Sequence, residues 1–187
     1  MTKVGVLALQ GDYEKHARAL ERAGAQVSEV RTAEELNAVD GLVIPGGEST
    51  TMLKLLDRES LFEPLREFGA KKPIFGTCAG AILLATEVEN PKQPSLELMD
   101  IAVQRNAYGR QLDSRVTQVD ADGFGAMEAV FIRAPIIRKT GPEVKVLARY
   151  NGDPVLVEQG RHLVATFHPE LSGDDRVHAY FLRKVTG

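Results

Sequence analysis

The chain has 187 residues, of which 43% are hydrophobic and 26% charged, and its net charge is −3. That is the make-up of an ordinary globular protein with length for a substantial core, and so mild a negative charge gives no electrostatic reason to expect nucleic acid or an anionic membrane as partner. One cysteine excludes an internal disulfide framework and fits a reducing cytoplasm, no apolar run nears the ~20 residues that span a bilayer, and Met1 to Leu7 enters a strand pattern without the apolar core or cleavage site of a signal peptide.

Lys3 to Leu9 is a compact apolar run, predicted as a central strand buried on both faces. Gln10-Gly11-Asp12 is a turn, and Asp12 can cap the helix that follows. His16, Ala17, Leu20 and Ala23 keep the helical period, and Gly24 stops it. Gln26 to Val30 is a second strand. Thr32 as N-cap, with Glu35 at the capping-box position, opens a short helix. Gly41 to Ile44 is a third strand, ending at Pro45-Gly46-Gly47. Ser49 and Thr50 open a helix through Met52, Leu53, Leu55 and Leu56. A helical stretch from about Glu59 to Phe68 leads into Lys72-Pro73-Ile74-Phe75, a glycine-rich turn at Gly76 to Gly80, and a helix ending near Ala85. Alternating strands and helices predict a doubly wound, mostly parallel α/β sheet with flanking helices. Right-handed crossovers then place the loops after Leu9, Ile44 and Gly76 on one carboxyl edge.

Beyond Ala85 the texture changes. Glu87 to Ser95 is polar, holds two prolines and reads as a loop. Short apolar runs follow at Ile101–Val103, Arg115–Val119, Ala129–Ile132, Val144–Arg149, Pro154–Glu158 and Leu163–Thr166, predicted as antiparallel strands that extend or flank the sheet. Asn151-Gly152 is a hairpin signal. A helix from about Asp174 to Val185 closes the chain. Nothing reads as a linker or repeat, so residues 1–187 are expected to form one domain.

Three stretches carry chemistry. Cys78 sits in Gly76-Thr77-Cys78-Ala79-Gly80, the spacing of a nucleophile elbow with sulfur for oxygen. A helix N-terminus at that turn favours a thiolate; the competing reading is a buried, inert cysteine. A thiol nucleophile needs a base and the base an orienting group. His168 follows an apolar run at a strand's carboxyl end, and Glu170 lies two residues on, where an extended backbone would turn its carboxylate to the same side; a plain His-Pro-Glu loop is the alternative. His16 and His178 read as helix-surface or core-edge histidines and His162 as a surface residue before a strand. Gly46-Gly47 lets backbone N–H groups face a substrate oxygen, as an oxyanion hole requires, with the N–H of Ala79 as second donor; otherwise it is a capping turn with Ser49 as the cap. It matches neither a phosphate-binding loop nor a dinucleotide fingerprint.

Together these elements resemble the triad-type, class I glutamine amidotransferases. Six ordered motifs narrow the resemblance to the glutaminase subunits of pyridoxal 5′-phosphate synthases: Leu7-Ala8-Leu9-Gln10-Gly11-Asp12, Pro45-Gly46-Gly47-Glu48-Ser49-Thr50-Thr51, Gly76-Thr77-Cys78-Ala79-Gly80, Val103-Gln104-Arg105-Asn106-Ala107-Tyr108-Gly109-Arg110-Gln111, Phe131-Ile132-Arg133-Ala134-Pro135 and Phe167-His168-Pro169-Glu170-Leu171. The resemblance covers the chain nearly end to end. It implies a flavodoxin-like sheet and hydrolysis of L-glutamine by a Cys78-His168-Glu170 triad through a γ-glutamyl thioester. Glutamine would be held by Gly46, Gly47, Glu48, Arg105, Ile132 and Arg133, and the oxyanion by backbone N–H groups of Gly47 and Ala79. No cofactor or metal is expected. The implied partner is a synthase subunit that takes the ammonia and activates the glutaminase on docking, in the cytoplasm. Glu97 stands where the family usually has glycine and is expected to be a loop variation without bearing on the chemistry. Other readings are a flavodoxin-like cysteine hydrolase, a glutaminase serving a different synthase, and a non-catalytic subunit of the same fold.

Overall fold

A computed structural model describes residues 2–106 and 114–187. The predicted strands β1 (Lys3–Leu7), β2 (Gln26–Val30), β3 (Gly41–Ile44) and β4 (Ile74–Thr77) all form. Between them lie α1 (Tyr13–Arg22), α2 (Ala33–Asn37), α3 (Ser49–Arg58) and α4 (Phe62–Gly69), and α5 (Ala79–Leu84) follows β4. The second half supplies β5 (Ala85–Glu89), β6 (Met99–Gln104), β7 (Ser114–Ala121), β8 (Gly125–Ile132), β9 (Ile136–Thr140), β10 (Lys145–Tyr150), β11 (Asp153–Gln159) and β12 (His162–Ala165). A 3-10 turn at Pro169–Leu171 and α6 (Arg176–Thr186) complete the chain.

Nine strands form one sheet in the order β2-β1-β3-β4-β12-β11-β10-β7-β8, and β5-β6-β9 form a second. The first five of the nine run parallel and the remainder antiparallel. The late strands thus extend and flank the sheet as expected, with two differences. β6 pairs parallel with β5. β12 runs parallel beside β4, in register Leu163↔Phe75 to Ala165↔Thr77. The Asn151-Gly152 turn joins β10 to β11 as the predicted hairpin.

Alternation along the central strands sorts their side chains onto two faces. Ile44, Ile74, Val157 and Val164 pack with Met52 and Leu56 of α3, Leu65 of α4 and Leu83 of α5, and β5, β6 and β9 cover the rest of that side. Val43, Phe75, Leu156 and Leu163 face the other way, onto Leu20 of α1 and Val177 and Phe181 of α6. Each such side chain contributes about 1.5–3 kcal/mol on leaving water. Burial on both faces is what makes these strands read as unbroken apolar runs.

Some local expectations change. Thr32 caps α2, its hydroxyl accepting from Glu35 N–H at 3.1 Å, while the Glu35 carboxylate accepts from the N–H of Arg31. Asp12 precedes α1 without a side-chain capping bond. The cap of α3 is Glu48, not Ser49: its carboxylate accepts from the N–H groups of Thr50 and Thr51. Glu87 to Glu89 belong to β5 rather than to a loop, because β6 offers a parallel partner that only the tertiary fold supplies.

Candidate active site

The carboxyl ends of β1, β3, β4 and β12 lie side by side on one edge of the sheet. Cys78 follows β4 at once and is the N-cap of α5, with φ 53° and ψ −106°. A non-glycine residue is rarely found there, and such strain is held only by well-fixed surroundings. Here the Cys78 N–H donates to the carbonyl of Ala165 at 3.0 Å. The flanking glycines are steric necessities. A Cβ on Gly76 would lie 2.5 Å from the carbonyl oxygen of Gly80, and one on Gly80 would lie 2.3 Å from that of Ile44. The elbow is therefore wedged between two backbone segments that approach too closely for any side chain.

His168 hangs from the end of β12, its N–H donating to the carbonyl of Val130 at 2.7 Å. Its Nδ1 lies 2.8 Å from Glu170 Oε2. The expectation of a shared side at i and i+2 holds through a turn rather than an extended strand, since Glu170 is already in the 3-10 turn. Both residues are buried, at 7% exposure each. Burial opposes charge on the imidazole, but hydrogen bonds to Cys78 and Glu170, with the attraction of both, outweigh it and push the His168 pKa up to about 10. An imidazolium between a sulfur and a carboxylate is the state in which a thiol nucleophile is poised.

A cleft of about 430 Å³ opens over Cys78 and His168. All six residues read as glutamine-binding line it: Gly46, Gly47, Glu48, Arg105, Ile132 and Arg133. Gly46 packs so tightly on Cys78 and His168 that a Cβ there would lie 2.7 Å from His168 Cε1 and 3.2 Å from Cys78 Cβ. Its carbonyl oxygen is turned toward Gly11, 2.0 Å from where a Cβ on Gly11 would sit, so the N–H of Gly47 in the same trans peptide points away from Gly11. Gly47 has φ +136° and rests on the side chain of Gln10, whose amide donates to the carbonyl of Glu48 at 3.2 Å. Ala79 opens α5, and a first-turn N–H has no partner within its own helix. Arg105 donates to Thr50 Oγ1 at 2.9 Å and lies 3.6 Å from Glu48 Oε1. The Glu48 carboxylate has its pKa lowered: partial burial works against this, and hydrogen bonds from Thr51 and Thr50 prevail. Arg133, at φ 45°, stands exposed on the rim beside half-exposed Ile132. A charged guanidinium and a carboxylate close together on the wall of a small cleft are what the α-carboxylate and ammonium of a free amino acid require. The motif stretch Ala107-Tyr108-Gly109-Arg110-Gln111 lies outside the described residues.

Three histidines are placed otherwise than expected. His162 is buried rather than on the surface, accepting from the N–H of Ile74 at 3.1 Å and facing the carbonyl of Gly69 at 2.8 Å. Burial lowers its pKa to about 4. His16 and His178 are fully buried and 2.8 Å apart, and His16 Nε2 lies 3.4 Å from the Glu170 carboxylate. The signal for His16 was present in the apolar stripe it shares with Ala17 and Leu20; nothing in the sequence linked it to α6.

Residues 6–187 match the SNO glutamine amidotransferase family. The chain is 62% identical over 192 residues to "Pyridoxal 5'-phosphate synthase subunit PdxT" of Solibacter usitatus, covering 99% of this chain and all of that one. It is 57% identical to the protein of the same description from Koribacter versatilis, covering 98% and 95% of the two chains. A crystal structure described as a glutamine amidotransferase superposes with a TM-score of 0.93 at 46% identity, over 98% of this chain and 99% of that one.

Proposed function

The chain belongs to the SNO glutamine amidotransferase family, and from that premise we propose that Cys78, His168 and Glu170 are its catalytic triad. The protein is the glutaminase of pyridoxal 5′-phosphate synthesis, releasing ammonia from glutamine for ring construction. The observation that carries the residue assignment is the cleft: nucleophile and base lie on its wall, and every position read as glutamine-binding lines it.

Glutamine's side-chain amide enters toward Cys78, with its α-carboxylate met by Arg105 or Arg133 and its ammonium by Glu48. The Cys78 thiolate attacks the amide carbon. The oxygen takes up the negative charge, facing the N–H groups of Gly47 and Ala79. Protonated His168 then gives its proton to the departing nitrogen, and ammonia leaves a γ-glutamyl thioester. Neutral His168 next takes a proton from water, whose oxygen displaces the sulfur and frees glutamate. Glu170 holds the imidazole by its Nδ1–H throughout and stabilises its charged form. Residues 1–187 act as one domain in the cytoplasm, and the ammonia passes to a bound synthase subunit whose docking raises glutaminase activity through the Gly46-Gly47 peptide and the nearby Gln10 loop.

A glutamine-analogue electrophile tests the assignment. It should modify Cys78, and glutamine should protect against it. Cys78→Ala, His168→Asn and Glu170→Gln should each abolish most glutamine hydrolysis; substantial activity in Cys78→Ala would end the nucleophile assignment. Hydrolysis rates with and without the synthase subunit test the partner: equal rates would refute activation by docking.

A further inference from the structure

Behind the triad lies a buried imidazole pair that the mechanism above does not use. Glu170 offers Oε2 to His168, and its other oxygen, Oε1, is sealed from solvent without a hydrogen bond of ordinary length among the described residues. Beside it lies His16 of α1, with Nε2 at 3.4 Å from Oε1 and 3.3 Å from the hydroxyl of Thr77. Thr77 immediately precedes the nucleophile, so one imidazole touches both halves of the site. On its other side His16 Nδ1 lies 2.8 Å from His178 Nε2 of α6. Phe75 meets both rings edge-on, at 6.4 Å from His16 and 5.8 Å from His178.

The tautomers follow from counting partners. Burial, then the neighbouring His178 and His168, keep His16 neutral, and burial holds His178 neutral too, with a pKa of about 4. Each ring therefore carries one N–H. If His16 held it on Nδ1, that N–H would point at His178 and force the His178 hydrogen onto Nδ1. That atom has no acceptor among the described residues, and Glu170 Oε1 would be left without a donor. Two buried groups would then be orphaned, one of them a carboxylate oxygen. If His16 carries its hydrogen on Nε2, that N–H faces both the Thr77 hydroxyl at 3.3 Å and Oε1 at 3.4 Å, Nδ1 accepts from His178, and the His178 Nδ1 left over is an idle lone pair rather than an orphaned N–H. A buried orphan donor and an unserved carboxylate cost far more than an idle lone pair.

We propose that His16 is a positioning residue of the glutaminase triad: it donates its Nε2–H to the second oxygen of Glu170, and His178 holds it in that tautomer. The carboxylate is then clamped at both oxygens, by His168 in front and His16 behind. Because the rear donor is neutral, it fixes the carboxylate's rotation without cancelling the charge that stabilises imidazolium His168.

This inference rests on Glu170 being the orienting carboxylate, and the experiment separates the two. In the full chain with ¹⁵N-labelled histidine, NMR near neutral pH should show His16 and His178 as neutral Nε2–H tautomers; an Nδ1–H or a charged His16 overturns the proposal. In the assembled synthase, His16→Phe should lower kcat for glutamine by about tenfold, the weight of one hydrogen bond to a charged group. KM should stay within about twofold, since His16 lies outside the cleft. His16→Gln, which keeps an N–H near the same position, should recover most of the loss. Unchanged kcat in His16→Phe, or equal losses in both variants when their melting temperatures show both folded, would refute the clamp. Glu170→Gln is run alongside: if it retains activity, the triad assignment itself fails, whatever His16 does.

Discussion

Gly80→Ala adds one carbon, placed by the backbone 2.3 Å from the carbonyl oxygen of Ile44. That oxygen belongs to β3, which is hydrogen-bonded between β1 and β4, so it has little freedom to move. The separation must widen to at least 3.0 Å before it matches any real contact, and the mobile partner is α5. Cys78 is two residues back on the same turn and must shift with it. A displacement approaching 1 Å at a reacting atom costs on the order of 10²-fold in rate. Overpacking of this kind also costs about 1–3 kcal/mol of stability, so kcat for glutamine and a melting curve are measured together. Gly69→Ala is the control: its new carbon also meets an atom at 2.3 Å, but that atom is Leu98 Cδ1, the end of a side chain that can rotate away, far from the cleft. The expectation is a folded Gly80→Ala with kcat down about a hundredfold, against unaltered kcat in Gly69→Ala. If Gly80→Ala folds and keeps kcat within twofold, the elbow is not held by backbone contact and the reasoning fails.

Two further outcomes can be stated. His162 is neutral in the fold, with a pKa of about 4 against an ordinary 6.5. The unfolded chain therefore takes up the proton first; the contribution is full above pH 6.5 and is lost as pH falls toward 4, to about 3 kcal/mol at most. His162→Gln should flatten urea-determined stability across that window, although His178 continues to titrate there, and an unchanged slope would refute the assignment. Glu97 has φ +55° and is 62% exposed at its side chain, with Arg66 only at 3.9 Å. Glu97→Gly should relieve the left-handed strain and raise stability by about 0.5–1 kcal/mol, a gain of about 1–4 °C in melting temperature; a lower melting temperature would contradict this.

The Glu97 case shows one thing the sequence held without explaining. The resemblance implies glycine at that place, and a left-handed backbone is a physical reason for one. The central strands were legible for another reason: β1, β3 and β4 are buried on both faces, so their apolar runs admit few other readings. The elbow at Cys78 and the pairing of His168 with Glu170, on which the proposed triad rests, were legible because each is local, a five-residue turn and a three-residue turn. The missed parts depend on distant partners. β9 carries Ile136 and Ile137 buried and Arg138 and Lys139 exposed, a pattern without a period of two, and only pairing with β6 makes it a strand. His162 reads as polar surface until Gly69 and Ile74 close around it. His16 and His178 are 162 residues apart, and no spacing rule joins them.

The pairing of β12 with β4 carries a consequence for how the enzyme comes to life. Cys78 and His168 stand at the ends of neighbouring parallel strands, yet Ile74 and His162, bonded at the seam, are 88 residues apart. Closing so long a loop is entropically slow, and the strand that closes it is the last of the sheet to leave the ribosome. A chain arrested before β12 holds its cysteine on a finished elbow but lacks His168, the base proposed for it. Reactivity at Cys78 is thus withheld until the sheet is complete, and the return of glutamine hydrolysis during refolding should report the zipping of that one seam rather than the collapse of the core.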